Sequence, residues 1–365
     1  MKESVSRSGV IGAGNWIVDI VHVIDHWPNK NDLVRIADKT FGVGGGAANV
    51  LSDLHSFGVY FPLIPVGKLG CDSYAGIVLQ HCRSAGFPLD FLIQDKKAPT
   101  AHTHVMNVPG DSRTFFYQGG ANDTFTLDDI PIEQLVKCKA KIFYLGYAML
   151  LEKLDHLQVD GSTEMARLLR LVRQADMITI VDLVSAEKPD FKAIMLTALP
   201  FIDYLVINET EASRASGISV WDSDGTLNKT KVLVASQFLL DKGVNKAVIV
   251  HSPEFALWFE KNKLPIWSIP DPVDAEDIKS PVGAGDAFCA GIIFGTHEEW
   301  AVEPTLRLAH QAARAALHGQ TATDGIPPLS ELVPEYLSLP TIGNDGKSKT
   351  ILNTQVSGFK SNQER

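Results

Sequence analysis

Strand-like and helix-like stretches alternate along most of this chain, and that alternation limits the folds open to it. Short apolar runs typical of buried strands lie at residues 142–145, 177–183, 204–207, 247–250 and 264–269. Apolar residues at helical spacing lie at residues 47–57, 165–173, 232–240 and 305–318. Buried strands that alternate with helices favour a mostly parallel sheet covered on both faces. The sequence therefore predicts an α/β protein.

Two segments break this alternation. Residues 18–36 and 100–116 contain runs in which apolar and polar residues alternate, such as HTHVMNV, and polar turn residues at 110–112 precede RTFFYQ. Two such runs around a short polar turn are typical of a β-hairpin rather than of a strand followed by a helix. We expect these strands, within about 18–42 and 100–122, to form a small β-sheet lid over a site.

Composition and charge exclude several classes of protein. The 365 residues carry a net charge of −10 with a pI near 5.5, which argues against a surface for nucleic acid or for anionic membranes. The four cysteines are scattered without a CxxC pair, and no apolar run reaches the length of a membrane span. The N-terminus has no uninterrupted apolar signal region, so a cytoplasmic protein is expected. Residues 341–365 are polar and predict a mobile tail.

A glycine-rich segment at residues 279–288 reads KSPVGAGDAF and opens an apolar stretch, 287–294, with the length of a helix. Gly283 and Gly285 allow backbone N–H groups to turn outward at the start of that helix. Together with the helix dipole, such N–H groups bind an anion without a positive side chain. The segment therefore predicts a phosphate site.

Asp286 lies in the first turn of the same predicted helix. A carboxylate beside a bound phosphate repels it, so its placement there calls for a chemical reason. A base that takes the proton of a hydroxyl as that hydroxyl attacks a phosphoryl group is such a reason. The alternative is that Asp286 only caps the helix, as aspartate often does.

A second glycine-rich segment lies at residues 41–50 and reads FGVGGGAANV. The three consecutive glycines, 44–46, allow a backbone to press against a ligand, and Asn49 can both donate and accept hydrogen bonds. The segment lacks the GxGxxG pattern of dinucleotide sites. A neutral polyol fits better, with Asp19 as a candidate partner for its hydroxyls. A turn or strand-end carboxylate is the alternative for Asp19.

Four motifs in order resemble the ribokinase-like, or PfkB, family of carbohydrate kinases. They are GGGAAN at 44–49, VGKLGCDSYAG at 66–76, NETE at 208–211 and VGAGDAF at 282–288. The resemblance covers about residues 8–330, which would form one kinase domain. It implies a three-layer α/β/α domain with a small β-sheet lid, and an ATP-dependent kinase that uses Mg²⁺.

The resemblance implies roles for individual residues. Asp286 would be the catalytic base that takes the proton of the substrate hydroxyl. The anion hole would be formed by the backbone of Gly283, Ala284 and Gly285. The sugar would be held by Asn15, Asp19, Gly45, Gly46 and Asn49.

The same resemblance implies a nucleotide side of the site. Asn208 would lie near the triphosphate, and Glu211 would place Mg²⁺ through water. The alternative for this NETE motif is a helix N-cap with its capping acid. The adenine and ribose would lie near His251, Ser252, Pro253, Glu254, Phe255, Ala256 and His310. That segment lacks the family's glycines, so Phe255 and Pro253 would pack on the purine or the nucleotide affinity would be altered.

Other positions also depart from the family pattern. Ser280 and Pro281 stand where the family has Asp and Thr, and that Asp often helps to bind an activating monovalent cation. Potassium activation is therefore left open. In the lid, Gln118 replaces an Arg of the family. Without that charge a carboxylated or phosphorylated sugar is less favoured, although Arg113 could supply one.

The first functional hypothesis is an ATP-dependent sugar kinase that phosphorylates a hydroxymethyl hydroxyl. The alternatives are a nucleoside kinase of the adenosine type, and a catalytically silent member that binds a sugar or nucleotide. A purine acceptor would need stacking partners in the lid. The candidates, which ordinary lid packing explains equally well, are Trp16, Trp27, Phe41 and Phe116.

The lid also suggests an assembly. The strand at residues 100–108 is expected to expose a hydrogen-bonding edge, which is an aggregation risk unless it is covered. In relatives two lids often pair, so a homodimer through residues 18–36 and 100–116 is expected. A monomer whose lid edge is protected by His102, His104 and Asp111 is the alternative.

Overall fold

One mixed sheet forms the frame of the molecule in a computed structural model that describes residues 7–109, 113–319, 321–336, 340–342 and 348–350. Within these residues its strands are β1 (Val10–Gly14), β4 (Leu63–Gly70), β5 (Leu92–Asp95), β8 (Ile142–Ala148), β9 (Ile178–Leu183), β10 (Tyr204–Asn208), β11 (Ala247–His251), β12 (Ala256–Glu260) and β13 (Ile266–Ser268). Their order is β13-β12-β11-β10-β9-β8-β1-β4-β5. The strands from β11 to β5 run parallel, and β12 and β13 run antiparallel to their neighbours.

Helices cover both faces of this sheet. They are α1 (Gly46–Ser56), α2 (Ser73–Ser84), α3 (Ile132–Lys137), α4 (Glu152–Asp155), α5 (Glu164–Gln174), α6 (Phe191–Ala198), α7 (Glu209–Ser216), α8 (Lys229–Asp241), α9 (Ala284–His297), α10 (Val302–Leu317) and α11 (Leu329–Leu332). One hydrophobic core contains residues of α3 to α8, and the other contains residues of α1, α2, α9, α10 and α11. Within β8, Phe143 and Leu145 belong to the first core, and Ile142 and Tyr144 to the second. This alternation confirms the predicted three-layer α/β/α architecture.

A second, smaller sheet lies outside these layers and is called the lid sheet below. It consists of β2 (Ile17–Ile24), β3 (Ile36–Gly44), β6 (His102–Asn107) and β7 (Thr114–Gln118), in the order β3-β2-β6-β7. The antiparallel β6–β7 pair confirms the hairpin predicted around residues 110–112, although those turn residues lie outside the described part of the chain. The predicted small lid sheet is thus present.

The prediction of which lid strand exposes its edge is wrong. The strand at residues 100–108 corresponds to β6, which has β2 as a parallel partner on one side and β7 as an antiparallel partner on the other. Both rows of its backbone groups are therefore paired. The outer strands of the lid sheet are β3 and β7. Sequence periodicity misplaced the edge because it identifies strands but not their order.

The carboxyl ends of the parallel strands meet the starts of two helices that pack together. Helix α1 begins after Gly45 (φ 95°), and α9 begins after Gly283 (φ 85°). Both glycines occupy the left-handed region that other residues rarely adopt. Glycine at these two positions therefore allows both helices to begin where the strands end.

The remaining elements lie near the C-terminus. Strands β14 (Pro340–Ile342) and β15 (Ser348–Thr350) pair antiparallel with each other. Most of the predicted tail, residues 341–365, lies outside the described residues. Among the described helices none has the length and apolarity needed to cross a bilayer.

Candidate active site

A cavity lies at the carboxyl ends of β8 to β11, beside the start of α9. Open α/β sheets bind ligands at this edge. Its lining residues are Tyr147, Asp182, Leu183, Val184, Ser185, Val206, Asn208, Glu211, His251, Gly283, Gly285, Asp286 and Cys289. The cavity therefore joins the two motifs that the sequence places at 208–211 and 282–288.

The turn before α9 explains why its glycine is needed. A Cβ atom at Gly283 would collide with the carbonyl oxygen of Ala322, and the left-handed φ excludes most other residues as well. Ser280, which is almost fully buried, accepts a hydrogen bond from Val282 N at 3.1 Å and fixes the turn. The first N–H groups of α9 have no acceptor within the helix. Gly283 and Gly285 line the cavity where the anion hole is predicted, whereas Ala284 is not among the lining residues and its N–H donates to Pro281 O at 3.4 Å.

Asp286 occupies the first turn of α9 and is only 3% exposed. Its Oδ2 accepts one hydrogen bond from Asn49 Nδ2 at 2.8 Å and another from the Tyr147 hydroxyl at 2.7 Å. Burial raises the pKa of Asp286 to about 6, the hydrogen bonds from Asn49 and Tyr147 act to lower it, and Asp19 raises it. A carboxylate with a pKa near neutrality is suited to accept a proton.

The sequence predicted that Gly45 and Gly46 allow the backbone to contact a ligand. In the structure both glycines instead make room for atoms of the protein itself. A Cβ atom at Gly45 would lie 2.5 Å from the carbonyl oxygen of Asn15. At Gly46 it would lie 2.7 Å from Cδ1 of Tyr147. These glycines therefore allow Asn49 and Tyr147 to converge on Asp286.

Asn15 lies behind the cavity rather than in its wall. It is fully buried, and its Nδ2 donates to the carbonyl oxygens of Gly146 at 3.3 Å and Tyr147 at 3.1 Å. Its Oδ1 has no hydrogen-bond partner among the described residues. The amide nitrogen of Asn15 thus holds the end of β8, and the predicted contact of Asn15 with a sugar stays a prediction.

Asp19 lies on the lid sheet and lines a second, smaller cavity next to the turn before α9. The other lining residues are Val21, Gly42, Val43, Val105, Arg113, Phe115, Val282, Thr321 and Ala322. Burial raises the pKa of Asp19 to about 6, while a hydrogen bond from Thr103 and the nearby charge of Arg113 lower it. The charge of Asp19 also raises the pKa of Asp286.

Asn208 and Glu211 form a reciprocal N-cap at the start of α7. The Asn208 side chain accepts from Glu211 N at 2.8 Å, and Glu211 Oε2 accepts from Asn208 N at 3.0 Å. The capping alternative for the NETE motif is thus confirmed, and both residues also line the cavity. Burial raises the pKa of Glu211 to about 7, and hydrogen bonds from Asn208 and Ser185 lower it.

These features coincide with a family match. A sequence model described as pfkB family carbohydrate kinase matches residues 13–328. The chain belongs to the pfkB family of carbohydrate kinases. As such it is a phosphotransferase with an alcohol hydroxyl as acceptor.

Individual relatives of this kinase are distant but cover most of it. A deoxyribokinase of Salmonella typhi is 23% identical over 334 residues, which cover 89% of this chain and 97% of the relative. Adenosine kinase 2 of Arabidopsis thaliana is 21% identical over 353 residues, covering 88% and 98%. The solved structure of Arabidopsis thaliana ribokinase with ribose and ATP is 22% identical with a TM-score of 0.71, covering 90% and 98%. The structural likeness confirms the ribokinase-like fold.

The nucleotide segment of this kinase differs from its sequence-based interpretation. Phe255 is fully buried and packs against Trp267. The ammonium group of Lys229 lies over the Phe255 ring, 5.1 Å from the ring centroid. Phe255 therefore cannot stack on a purine in this arrangement. The ring points into the core because Ser252 closes a tight turn, with Ser252 N donating to Phe255 O at 2.9 Å.

Only His251 of the predicted nucleotide segment lines the cavity. Burial, and to a smaller extent the nearby His310, lowers the pKa of His251 to about 4. His310 of α10 packs against Phe288 of α9, and Ala256 is fully buried in β12, so neither His310 nor Ala256 forms the cavity wall. Pro253 and Glu254 are exposed and lie outside that wall as well.

Four lining residues with polar or titratable side chains escaped the sequence analysis of this kinase. Tyr147 and Asp182 lie at the carboxyl ends of β8 and β9, Ser185 follows β9, and Cys289 lies three residues after Asp286 in α9. Asp182 accepts hydrogen bonds from the Tyr144 hydroxyl at 2.7 Å and from Tyr147 N at 2.6 Å. The signal that could have found the first two was their place at the ends of predicted parallel strands.

Proposed function

We propose that this kinase transfers the γ-phosphoryl group of ATP to a hydroxymethyl hydroxyl of a sugar, with Asp286 as the general base. The observation that carries this proposal is the buried carboxyl of Asp286, which Asn49 and Tyr147 hold at the glycine turn before α9. The helix start supplies N–H groups for the transferred group, and the carboxyl supplies the acceptor for the proton.

Phosphoryl transfer breaks two bonds and forms two. The acceptor O–H bond breaks as Asp286 takes the proton, and the acceptor oxygen forms a bond to the γ-phosphorus. The bond from that phosphorus to the β,γ-bridging oxygen breaks, and its electron pair leaves with ADP. The backbone N–H groups at Gly283, Ala284 and Gly285 would stabilise the charge on the equatorial oxygens of the transferred group.

Magnesium fits the nucleotide side of the cavity through oxygen donors. Glu211 is a buried carboxyl group at the cavity. Glu211 accepts hydrogen bonds from Asn208 and Ser185, which favours contact with Mg²⁺ through water rather than directly. Mg²⁺ usually keeps several waters and binds through one or two carboxylates and the phosphates. When bound, it would neutralise charge on the β- and γ-phosphates.

The lid geometry favours a sugar over a nucleoside. Trp16 is fully buried and donates to Val66 O at 3.1 Å, so it does not face an acceptor. Phe41 and Phe116 lie on the same face of the lid sheet as Ile20. Phe41 pairs directly with Ile20. Phe116 pairs with His104, which is the partner of Ile20 on its other side. Successive residues of a strand point to opposite faces, so both rings lie on the face away from Asp19.

One observation favours a nucleoside as the second candidate acceptor. Phe115 lines the smaller cavity beside Asp19, on the same side of the lid sheet, and could pack on a base. A coupled assay of ADP release separates the candidates, with D-ribose, 2-deoxy-D-ribose, D-fructose, 2-keto-3-deoxygluconate, adenosine and inosine as acceptors. Turnover with sugars supports the proposal. Turnover with nucleosides alone supports the second candidate, and tight binding without turnover of any acceptor supports a silent member.

We also propose that two lid sheets pair in a homodimer. The outer strands β3 and β7 have one unpaired edge each within the described chain, and their Phe41 and Phe116 are 48% and 54% exposed. Exposed edges with apolar side chains are surfaces that proteins usually cover. Light scattering at micromolar concentration tests this: twice the chain mass of 39.8 kDa supports the dimer, and a single chain mass with and without sugar contradicts it.

A further inference from the structure

Tyr147 has an uncommon backbone conformation that other side chains hold in place. Its φ is 53°, in the left-handed region that non-glycine residues rarely adopt. Its N–H donates to Oδ1 of Asp182 at 2.6 Å, and its carbonyl oxygen accepts from Asn15 Nδ2 at 3.1 Å. Both partners are buried. Strained backbone of this kind persists where the surroundings fix it, and it concentrates at functional sites.

This conformation places the Tyr147 ring between the two glycine segments. The ring lies against Gly46, where a Cβ atom would be 2.7 Å from Cδ1 of the ring, so only glycine admits it. The hydroxyl then reaches Oδ2 of Asp286 at 2.7 Å. Asn49 donates to the same oxygen at 2.8 Å. Among the described residues, both hydrogen bonds from side chains to Asp286 end on Oδ2.

We propose that Tyr147 is a positioning residue for the catalytic base: its hydroxyl fixes the Asp286 carboxylate through Oδ2 and leaves Oδ1 for the proton of the acceptor hydroxyl. The inference rests on the proposed role of Asp286 as base. It assigns Asp182 and Asn15 a function too, since their hydrogen bonds hold the backbone of Tyr147. Neither residue needs to touch the acceptor for this purpose.

The hydrogen bond from Tyr147 affects the pKa of Asp286 because of the groups that surround this carboxyl. Burial raises the pKa of Asp286, whereas the donors Asn49 and Tyr147 lower it. The other titratable groups that face Asp286, from every element packed around it, are Asp19, Asp53, Tyr144, Asp182, Glu211, His251 and Cys289. None of these groups is a cation at neutral pH, because burial lowers the pKa of His251 to about 4. The two hydrogen bonds therefore act, together with the dipole of α9, to keep Asp286 ionised near neutral pH.

The test replaces one hydroxyl and keeps the ring. Tyr147→Phe leaves the contact with Gly46 and removes only the hydrogen bond to Asp286. Tyr60→Phe is the matched control, because the Tyr60 hydroxyl donates at 2.9 Å to Glu298, which follows the end of α9 opposite to Asp286. The first readout needs no acceptor: ¹³C NMR titration of the aspartate carboxyls in the free protein, with the Asp286 signal identified by its loss in Asp286→Asn.

We expect the titration midpoint of Asp286 to rise in Tyr147→Phe by roughly one to two units, as expected when a buried charged group loses one hydrogen bond. In Tyr60→Phe the midpoint should equal that of the wild type. An unchanged midpoint in Tyr147→Phe overturns the proposal. This holds whether or not an acceptor has been found.

The second readout is the pH dependence of kcat/KM with ATP and the acceptor that the panel identifies. In Tyr147→Phe the acidic limb should move to higher pH, so that activity falls about tenfold near pH 6 and largely recovers near pH 9. An equal loss at every pH would mean that the hydroxyl only supports packing, and would also overturn the proposal. If the wild type turns over no acceptor, the proposed function fails, and the NMR titration alone decides the role of Tyr147.

Discussion

Asn49 donates a hydrogen bond of 2.8 Å to Asp286 although the two residues are 237 positions apart in sequence. The bond links the N-terminal turn of α1 to that of α9, and it connects the two glycine segments. An amide that holds the proposed base can also orient it toward the acceptor. The two segments therefore act as one site, and each depends on the backbone freedom of a glycine at its helix start.

Replacing Asn49 by alanine should reduce catalysis without unfolding the protein. The variant removes one of the two hydrogen bonds to Asp286, and the pKa of Asp286 should rise because that bond lowers it. We expect kcat/KM at neutral pH to fall by about tenfold or more, as for a lost hydrogen bond to a charged group. Steady-state kinetics across pH measure this. A variant as active as the wild type at pH 6 would contradict it.

Gly283 and Gly58 offer a matched pair for the turn before α9. Both have positive φ, but a Cβ atom at Gly58 meets nothing within 4 Å, whereas at Gly283 it would collide with Ala322 O. Gly58→Ala should cost about 1 kcal/mol of unfolding free energy from the left-handed backbone alone. Gly283→Ala should cost more and abolish most activity. Chemical denaturation and the ADP-release assay compare the two, and equal effects would exclude a special role for the turn.

Phe255→Leu tests whether Phe255 belongs to the core or to the nucleotide site. A fully buried ring that packs on Trp267 should contribute to stability, so we expect a loss of about 1 kcal/mol for this nearly volume-conserving change. The KM for ATP should remain that of the wild type. A KM raised severalfold at unchanged thermal stability would restore the purine-stacking interpretation.

Asp155 should make the stability of the fold depend on pH. Burial raises its pKa from 3.8 to about 7, with Lys188 acting in the opposite direction. Because the folded-state pKa lies above the unfolded value, the contribution of Asp155 to stability is full below about pH 4 and is lost as pH rises to about 7. Asp155→Asn keeps an oxygen for Leu151 N, to which Asp155 is bonded at 2.8 Å, but cannot titrate.

The measurement is the thermal unfolding midpoint of the wild type and Asp155→Asn between pH 4 and pH 8. Asp155→Asn should lack part of the decline that the wild type shows over this range. Parallel curves for the two proteins would show that Asp155 titrates alike in the folded and unfolded states.

Local patterns in the sequence were enough to predict the glycine turn before α9 and the architecture. The glycines at 283 and 285 and the apolar run after them specify a turn and a helix start without information from the rest of the chain. The alternation of strands and helices predicted the three layers because it, too, depends only on the local sequence. The strands β1, β4, β5 and β12 were not predicted, although they complete the sheet.

Features that depend on distant partners could not be predicted in this way. Nothing in the sequence around Tyr147 indicates that its backbone is left-handed or that its hydroxyl reaches Asp286, because both depend on Asp182 and Asn15 from other strands. The direction of the Phe255 ring depends on how the turn closes, and strand order in the lid depends on pairing with β2. Periodicity carries none of this information.

The turnover of Asp286→Asn tests the central claim most directly. With the acceptor sugar identified by the panel, we expect the asparagine variant to bind ATP nearly as well as the wild type and to lose ~10² or more in kcat, because a general base typically contributes that much. Asp155→Asn, the same change at another buried aspartate, should retain full turnover at neutral pH. Wild-type kcat in Asp286→Asn would contradict the assignment of Asp286 as the base.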